Sequence, residues 1–247
     1  MLEEKKEHGV MALLYMFKAL QKLEKPIRVV TITNHIFEVL PNENVIPIHA
    51  GISGFVKTAS LECPHTPMLL VDTEYNRDMS LGAVEKLVKN IINEVSEHET
   101  GEVAIRDGKS YIRKHYKLKL SELHLNESSF RDKGVYLIAG AGGIGIQLAS
   151  YLAEKVKAKL ILVGRSGIDS IKEEVFNQIR AVGAEVDYIQ ADITNQLQMD
   201  QVVSGIKKKH GALHGVFHSA MVLRDIRIQN MTKDMFNEVL DPKVKGV

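Results

Sequence analysis

The run Gly134-Val135-Tyr136-Leu137-Ile138-Ala139-Gly140-Ala141-Gly142-Gly143-Ile144-Gly145 is an apolar strand pattern that breaks into glycines and then turns helical. Gly140, Gly142 and Gly145 fit the spacing G-x-G-x-x-G. One glycine permits a tight turn, one lets backbone reach a pyrophosphate, and one lets the helix pack on the strand. The helix that opens through Gly143 and Ile144 would add unpaired N–H groups and partial positive charge. Glycines also mark ordinary turns, so the flanking sequence decides between the two readings.

The flanks favour a phosphate loop. A second strand pattern, Leu160–Val163, ends in Gly164-Arg165-Ser166 and completes a βαβ unit. Further strand patterns at Glu185–Gln190 and Gly215–Ser219 alternate with helical ones, which predicts a parallel α/β sheet with right-handed crossovers. Arg165 lies about 20 residues past Gly145, where the dinucleotide fingerprint places the group that reads the adenosine ribose. An acid there would accept from the 2′-hydroxyl of NAD, whereas an arginine pairs with a 2′-phosphate, so the sequence favours NADPH. The alternative for Arg165 is a solvated charge in a surface turn. Ser166 would add a hydroxyl to the same phosphate.

Asp192 and Ile193 follow the third strand, at the carboxyl edge where an open α/β sheet places its ligand. Asp192 reads either as an adenine contact or as the N-cap of the next helix. Ser219 and Ala220 bring small residues to the place expected for the nicotinamide ribose. His218 beside them reads as a packed or hydrogen-bonded residue in preference to an acid or base. Lys243, taken alone, is a surface charge. No cluster of histidines or carboxylates has metal-ligand spacing.

Upstream, helical patterns at Val10–Leu23, Ala50–Leu61 and Ser80–Ser96 alternate with strand patterns at Ile27–Ile32 and Met68–Val71, and Leu40–Pro47 reads as a loop. Glu102–Ile105 and Ser110–Ile112 flank Asp107-Gly108, a hairpin signal. No glycine loop follows the first strand of this half. The polar stretch Lys114–Lys133 places a domain boundary near Ser121–Asp132, giving domains 1–132 and 133–247. With 32 Lys plus Arg against 31 Asp plus Glu, no global field argues for nucleic acid or a membrane surface as partner. Cys63 is the only cysteine, so no disulfide can form within the chain, and a reducing cytoplasm is the simplest compartment. Neither a secretory signal nor a run of roughly 18 apolar residues is present.

The second half resembles the ketoreductase domains of modular polyketide synthases, within the short-chain dehydrogenase/reductase superfamily. The resemblance rests on the glycine loop, Gly164-Arg165-Ser166, Ala191-Asp192, His218-Ser219-Ala220 with Leu223-Arg224-Asp225, and Asp241-Pro242-Lys243-Val244. The first half is similar to the family's structural subdomain through Gly54–Glu62, Leu70-Val71-Asp72 and Glu102–Gly108. The fold so implied is α/β: a truncated Rossmann-like structural subdomain, then the first half of a Rossmann NADP-binding catalytic subdomain.

The resemblance further implies NADPH-dependent reduction of a β-keto group on an acyl chain carried by an acyl carrier protein, alongside other synthase domains. Lys243 matches the family's catalytic lysine. The family's serine, tyrosine and asparagine are expected a few dozen residues after Lys243, past Val247, which makes the sequence a C-terminally incomplete domain by this reading. The alternative is a catalytically inactive cofactor-binding or structural fragment. Two departures stand out: Ile138-Ala139-Gly140 looks one residue short of the family's usual approach to the loop, and Arg224 replaces the first acid of a Leu-Asp-Asp motif tied to hydroxyl stereochemistry.

Overall fold

The computed structural model describes residues 7–23, 25–119 and 130–246. The boundary expected near Ser121–Asp132 falls outside them as far as residue 129. The chain forms two compact units, Met1–Lys119 with Ile226–Met231, and Leu120–Asp225 with Thr232–Val247. They divide between Lys119 and Leu120 in place of residue 132, and the short segment Ile226–Met231 belongs with the first unit.

The first unit is a four-stranded sheet in sequence order, β1 (Val29–Asn34), β2 (Met68–Thr73), β3 (Gly101–Arg106) and β4 (Lys109–Ile112). The first three strands are parallel and β4 is antiparallel. All six residues of β2 are buried, as a strand covered on both faces requires. Leu69 and Val71 of β2 pack with Val103 and Ile105 of β3 against Leu87. The Asp107-Gly108 turn has positive φ at both residues, 50° and 71°, the conformation that lets a two-residue turn follow the strand twist.

Among the described residues, the unit's α-helices are α1 (Ala12–Leu20), α2 (Gly51–Glu62) and α3 (Leu81–Glu97). Ser80 caps α3 by accepting from Ala83 N–H. The helix expected at Val10–Leu23 is regular only over α1, because a wide turn kinked at Gly9 precedes it. The strand expected at Ile27–Ile32 is shifted to Val29–Asn34, because pairing with Met68–Thr73 sets its ends and apolarity does not.

The second unit is a parallel sheet in the order β7 (Glu185–Gln190), β6 (Lys159–Gly164), β5 (Val135–Ala139), β8 (Gly215–His218). The chain steps outward from β5 to β6 and β7, then returns to the other side of β5. That reversal between β5 and β8 is the switch point at which open α/β sheets bind ligands. The connecting helices are α4 (Gly143–Val156), α5 (Ser170–Ala181) and α6 (Gln196–His210), and α7 (Lys233–Val244) follows β8.

Alternation along β5 divides the core between two faces. Tyr136 and Ile138 pack with Leu152, Leu160, Leu162 and Phe176, whereas Val135 and Leu137 pack with Ile161, Val163, Val202 and Ile206. Each fully buried aliphatic side chain contributes about 1.5–3 kcal/mol, so both faces hold the glycine loop on a rigid base. Among the described residues, no helix is long and apolar enough to cross a membrane, and no group of three or more His, Cys, Asp or Glu could hold a metal.

Candidate functional site

The glycines after β5 divide the work between packing and access. Gly140 has φ of 112°, and a Cβ there would stand 2.4 Å from Ala220 N, so the loop passes directly beneath the turn after β8. A Cβ on Gly145 would stand 1.9 Å from Gly140 O, which fixes the close contact of α4 with the loop. Gly142 and Gly143, by contrast, face open space. Gly142 is the N-cap of α4, and a helix's first turn leaves its N–H groups without intrahelical acceptors. Packing glycines and access glycines are thus different residues. Although the approach to the loop looked one residue short, the turn still runs from strand into helix.

The ends of β6 and β7 build a second wall. Arg165 and Ser166 leave β6 as an exposed turn whose carbonyls are pinned from the neighbouring strand. Gln190 Nε2 donates to Arg165 O at 2.8 Å, and the Tyr188 hydroxyl donates to Ser166 O. Burial raises the Tyr188 pKa, which keeps the phenol in its donating form. With its backbone held, Arg165 lines the cleft, and its charge acts on Asp192 there.

Asp192 Oδ1 accepts from Thr194 N–H at 2.9 Å and from Thr194 Oγ1 at 2.8 Å. Burial opposes its charge, but the two Thr194 bonds and the nearby Arg165 outweigh it and hold the carboxyl below its ordinary range. The N-cap role belongs to Asn195, whose side chain accepts from Gln198 N–H. Asp192 therefore shapes the turn and does not cap α6, because the helix begins further along the chain.

On the other side of the loop, Ser219 Oγ donates to Gly140 O at 2.8 Å, locking β8's turn to the glycine turn. His218 Nε2 lies 2.9 Å from Pro242 O, and because a carbonyl only accepts, that nitrogen carries the proton. His218 thereby ties the end of β8 to the last turn of α7, which is a structural contact. Lys243 is exposed in that turn, and its Nζ donates to Val239 O at 2.9 Å within its own helix. Arg224 pairs with Glu238 of α7 at 2.7 Å.

These elements enclose a cleft of about 890 Å³ at the switch point, within the usual range for small-molecule sites. Gly140, Gly142, Gly143, Ile144, Arg165, Ser166, Asp192, Ile193, Ser219 and Ala220 all line it. Gly145 lies behind the loop as a packing residue, and Lys243 lies outside the lining although Asp241 and Pro242 belong to it. Open backbone at Gly142 and Gly143 beside a helix N-terminus is the chemistry that a dinucleotide's pyrophosphate needs. Sequence reasoning missed Tyr188 and Gln190. Their signal was faint: two hydrogen-bonding side chains at alternate positions, on one face of β7 at its carboxyl end.

Residues 134–247 match the family model described as KR domain. Polyketide synthase PksN of Bacillus subtilis (strain 168) is 32% identical over 204 residues, 81% of this chain. Polyketide synthase ThaG of Burkholderia thailandensis is 29% identical over 247 residues, 98% of this chain. The chain spans 4% of the length of each of these relatives. Among solved structures, a ketoreductase domain from the bacillaene assembly line is similar with a TM-score of 0.81 and 27% identity, over 100% of this chain and 56% of that one. A structure holding the adenylation, ketoreductase and pseudo Asub domains of a keto acid-selecting NRPS module reaches a TM-score of 0.88 at 23% identity, over 99% of this chain and 21% of that one. That second likeness speaks to fold. Strand order, cleft and relatives agree, and the chain belongs to the ketoreductase (KR) domain family of modular polyketide synthases.

Proposed function

We propose that this chain is the NADPH-binding part of a reductase that converts a β-ketoacyl thioester, carried on an acyl carrier protein, to the β-hydroxyacyl thioester. Residues 1–132 would serve as its structural subdomain and 133–247 as its cofactor-binding subdomain, among the other domains of a synthase. The observation that carries the reading is the cleft at the β5–β8 switch point, with open backbone at Gly142 and Gly143 and with Arg165 in its lining.

When bound, NADPH would supply the hydride for the keto carbon. The N–H groups of the first turn of α4, around Gly143 and Ile144, take the pyrophosphate. Arg165 and Ser166 take the 2′-phosphate, Asp192 and Ile193 border the adenine, and Ser219 and Ala220 border the nicotinamide ribose. Lys243 is assigned the family's lysine role: its charge stabilises the oxyanion developing at the keto oxygen and lowers the pKa of the tyrosine acid that the family uses.

A second reading, cofactor binding or structural support without catalysis, draws on one observation, the Lys243 ammonium bound within its own helix and outside the cleft lining. The test is NADPH oxidation with a β-ketoacyl thioester by a polypeptide that joins these residues to the segment bearing the family's serine, tyrosine and asparagine. Turnover that falls at least a hundredfold in Lys243→Met, with NADPH affinity unchanged, fits an oxyanion-stabilising cation, whose loss costs on the order of 10²–10³ in rate. Saturable NADPH binding without turnover selects the second reading.

A further inference from the structure

Lys172 lies in the first turn of α5, and its side chain, 14% exposed, lines the same cleft as Arg165 and Ser166. Its ammonium donates to Asp169 Oδ2, while Asp169 Oδ1 caps α5 by accepting from Lys172 N–H at 2.9 Å. Tyr188 relates this pair to the β6 turn, because its hydroxyl donates to Ser166 O and feels the charges of both Lys172 and Asp169. One stretch of the cleft therefore holds Arg165, the Ser166 hydroxyl, a second cation, and the carboxylate that anchors it.

Stability gives little reason for this arrangement. Asp169 is 55% exposed in its side chain, and an ion pair with so open a partner contributes roughly 0–1 kcal/mol. An anion beside Arg165 gives a better one. A guanidinium offers a planar fork to two phosphate oxygens, whereas an ammonium is a compact charge with three donors. Lys172 can keep one donor on Asp169 and turn another to a phosphate oxygen, so the carboxylate holds the cation in place and is itself neutralised towards the ligand.

We propose that Lys172 is a second determinant of 2′-phosphate recognition, held towards the cleft by Asp169; this rests on the reading of the cleft as an NADPH site. Arg165 supplies the forked contact and Lys172 the point charge.

The test is equilibrium titration of the 247-residue chain and its variants with NADPH, NADH and adenosine 2′,5′-bisphosphate. Lys172→Gln is expected to weaken NADPH and the bisphosphate about tenfold, the scale of one charged hydrogen bond, and to leave NADH unchanged. Lys172→Arg should retain most of the preference. Asp169→Asn keeps an equally good cap, so it should melt with the parent, while the loss of the anchor for Lys172 weakens the bisphosphate severalfold. NADPH affinity that survives Lys172→Gln unchanged, or equal losses for NADPH and NADH, overturns the role of Lys172 and leaves the NADPH reading standing. Failure of the unaltered chain to bind either dinucleotide removes that reading, and this proposal with it.

Discussion

Gly142 and Gly145 are three residues apart, one the N-cap of α4 and the other in its first turn, yet a methyl group should affect them differently. At Gly145 it meets Gly140 O at 1.9 Å, so Gly145→Ala must displace backbone and should cost at least about 1–3 kcal/mol of stability as well as ligand affinity. At Gly142 a Cβ meets nothing, so Gly142→Ala should cost only about 1 kcal/mol through the weaker N-cap while still lowering dinucleotide affinity. Thermal melts paired with titrations separate the two. The sequence spacing showed that glycines were needed here but did not show which was needed for which contact, since that depends on Ala220 and Gly140 O arriving from elsewhere in the fold. Arg165 was legible because the βαβ register placed it. Removing its charge-assisted contact in Arg165→Asp should weaken NADPH by about 1.5–3 kcal/mol while sparing NADH, and equal losses for both would speak against a 2′-phosphate contact.

The loop between β1 and the turn before α2 shows what periodicity cannot reveal about an element. Leu40–Pro47 reads as irregular, yet it is held by a buried ionic cluster. Arg106, 1% exposed, donates to Asp72 Oδ2 at 2.8 Å, to Glu43 Oε1 at 2.7 Å and to Phe37 O at 3.0 Å, and Asp72 also accepts from the Ile36 and Phe37 N–H groups. Arg106, Asp72 and Glu43 are far apart in sequence, so no local pattern announces them. Removing one partner strands a buried charge, and Arg106→Met should cost about 3–5 kcal/mol in urea unfolding.

Glu43 adds a pH dependence to this loop. Burial disfavours its charge, but the Val39 N–H and Arg106 overcome it and hold its carboxyl below the ordinary range. With the folded pKa depressed, its contribution is complete above the unfolded value, about 4.3, and is lost as pH falls through the folded pKa. Urea midpoints measured from pH 6 downward should fall less steeply in Glu43→Gln than in the parent, and parallel profiles would refute the assignment.

At the scale of the whole molecule, the segment Ile226–Met231 follows β8 in sequence but belongs to the first unit. Ile228 is buried there, its N–H donates to Glu62 Oε2 at 2.8 Å, and Lys18 Nζ donates to Met231 O at 2.9 Å. A boundary read from composition could not detect the return, because six residues carry no periodic signal. Ile228→Ala should destabilise the first unit by about 2–5 kcal/mol, with hydrogen exchange quickening in α1 and α2; quickening confined to the second unit would contradict the placement. The α/β plan, the parallel sheet and the loop were readable because each rests on a local pattern. The Tyr188 and Gln190 pins were not, since they arise only when β6 and β7 pair.

The central claim, that the cleft at the β5–β8 switch point is built for a 2′-phosphorylated dinucleotide, is tested most directly by titrating the unaltered 247-residue chain with NADPH and NADH in parallel. Saturable binding of both, with NADPH tighter by at least about tenfold, is the predicted result. Equal affinities, or no saturable binding of either, would contradict it.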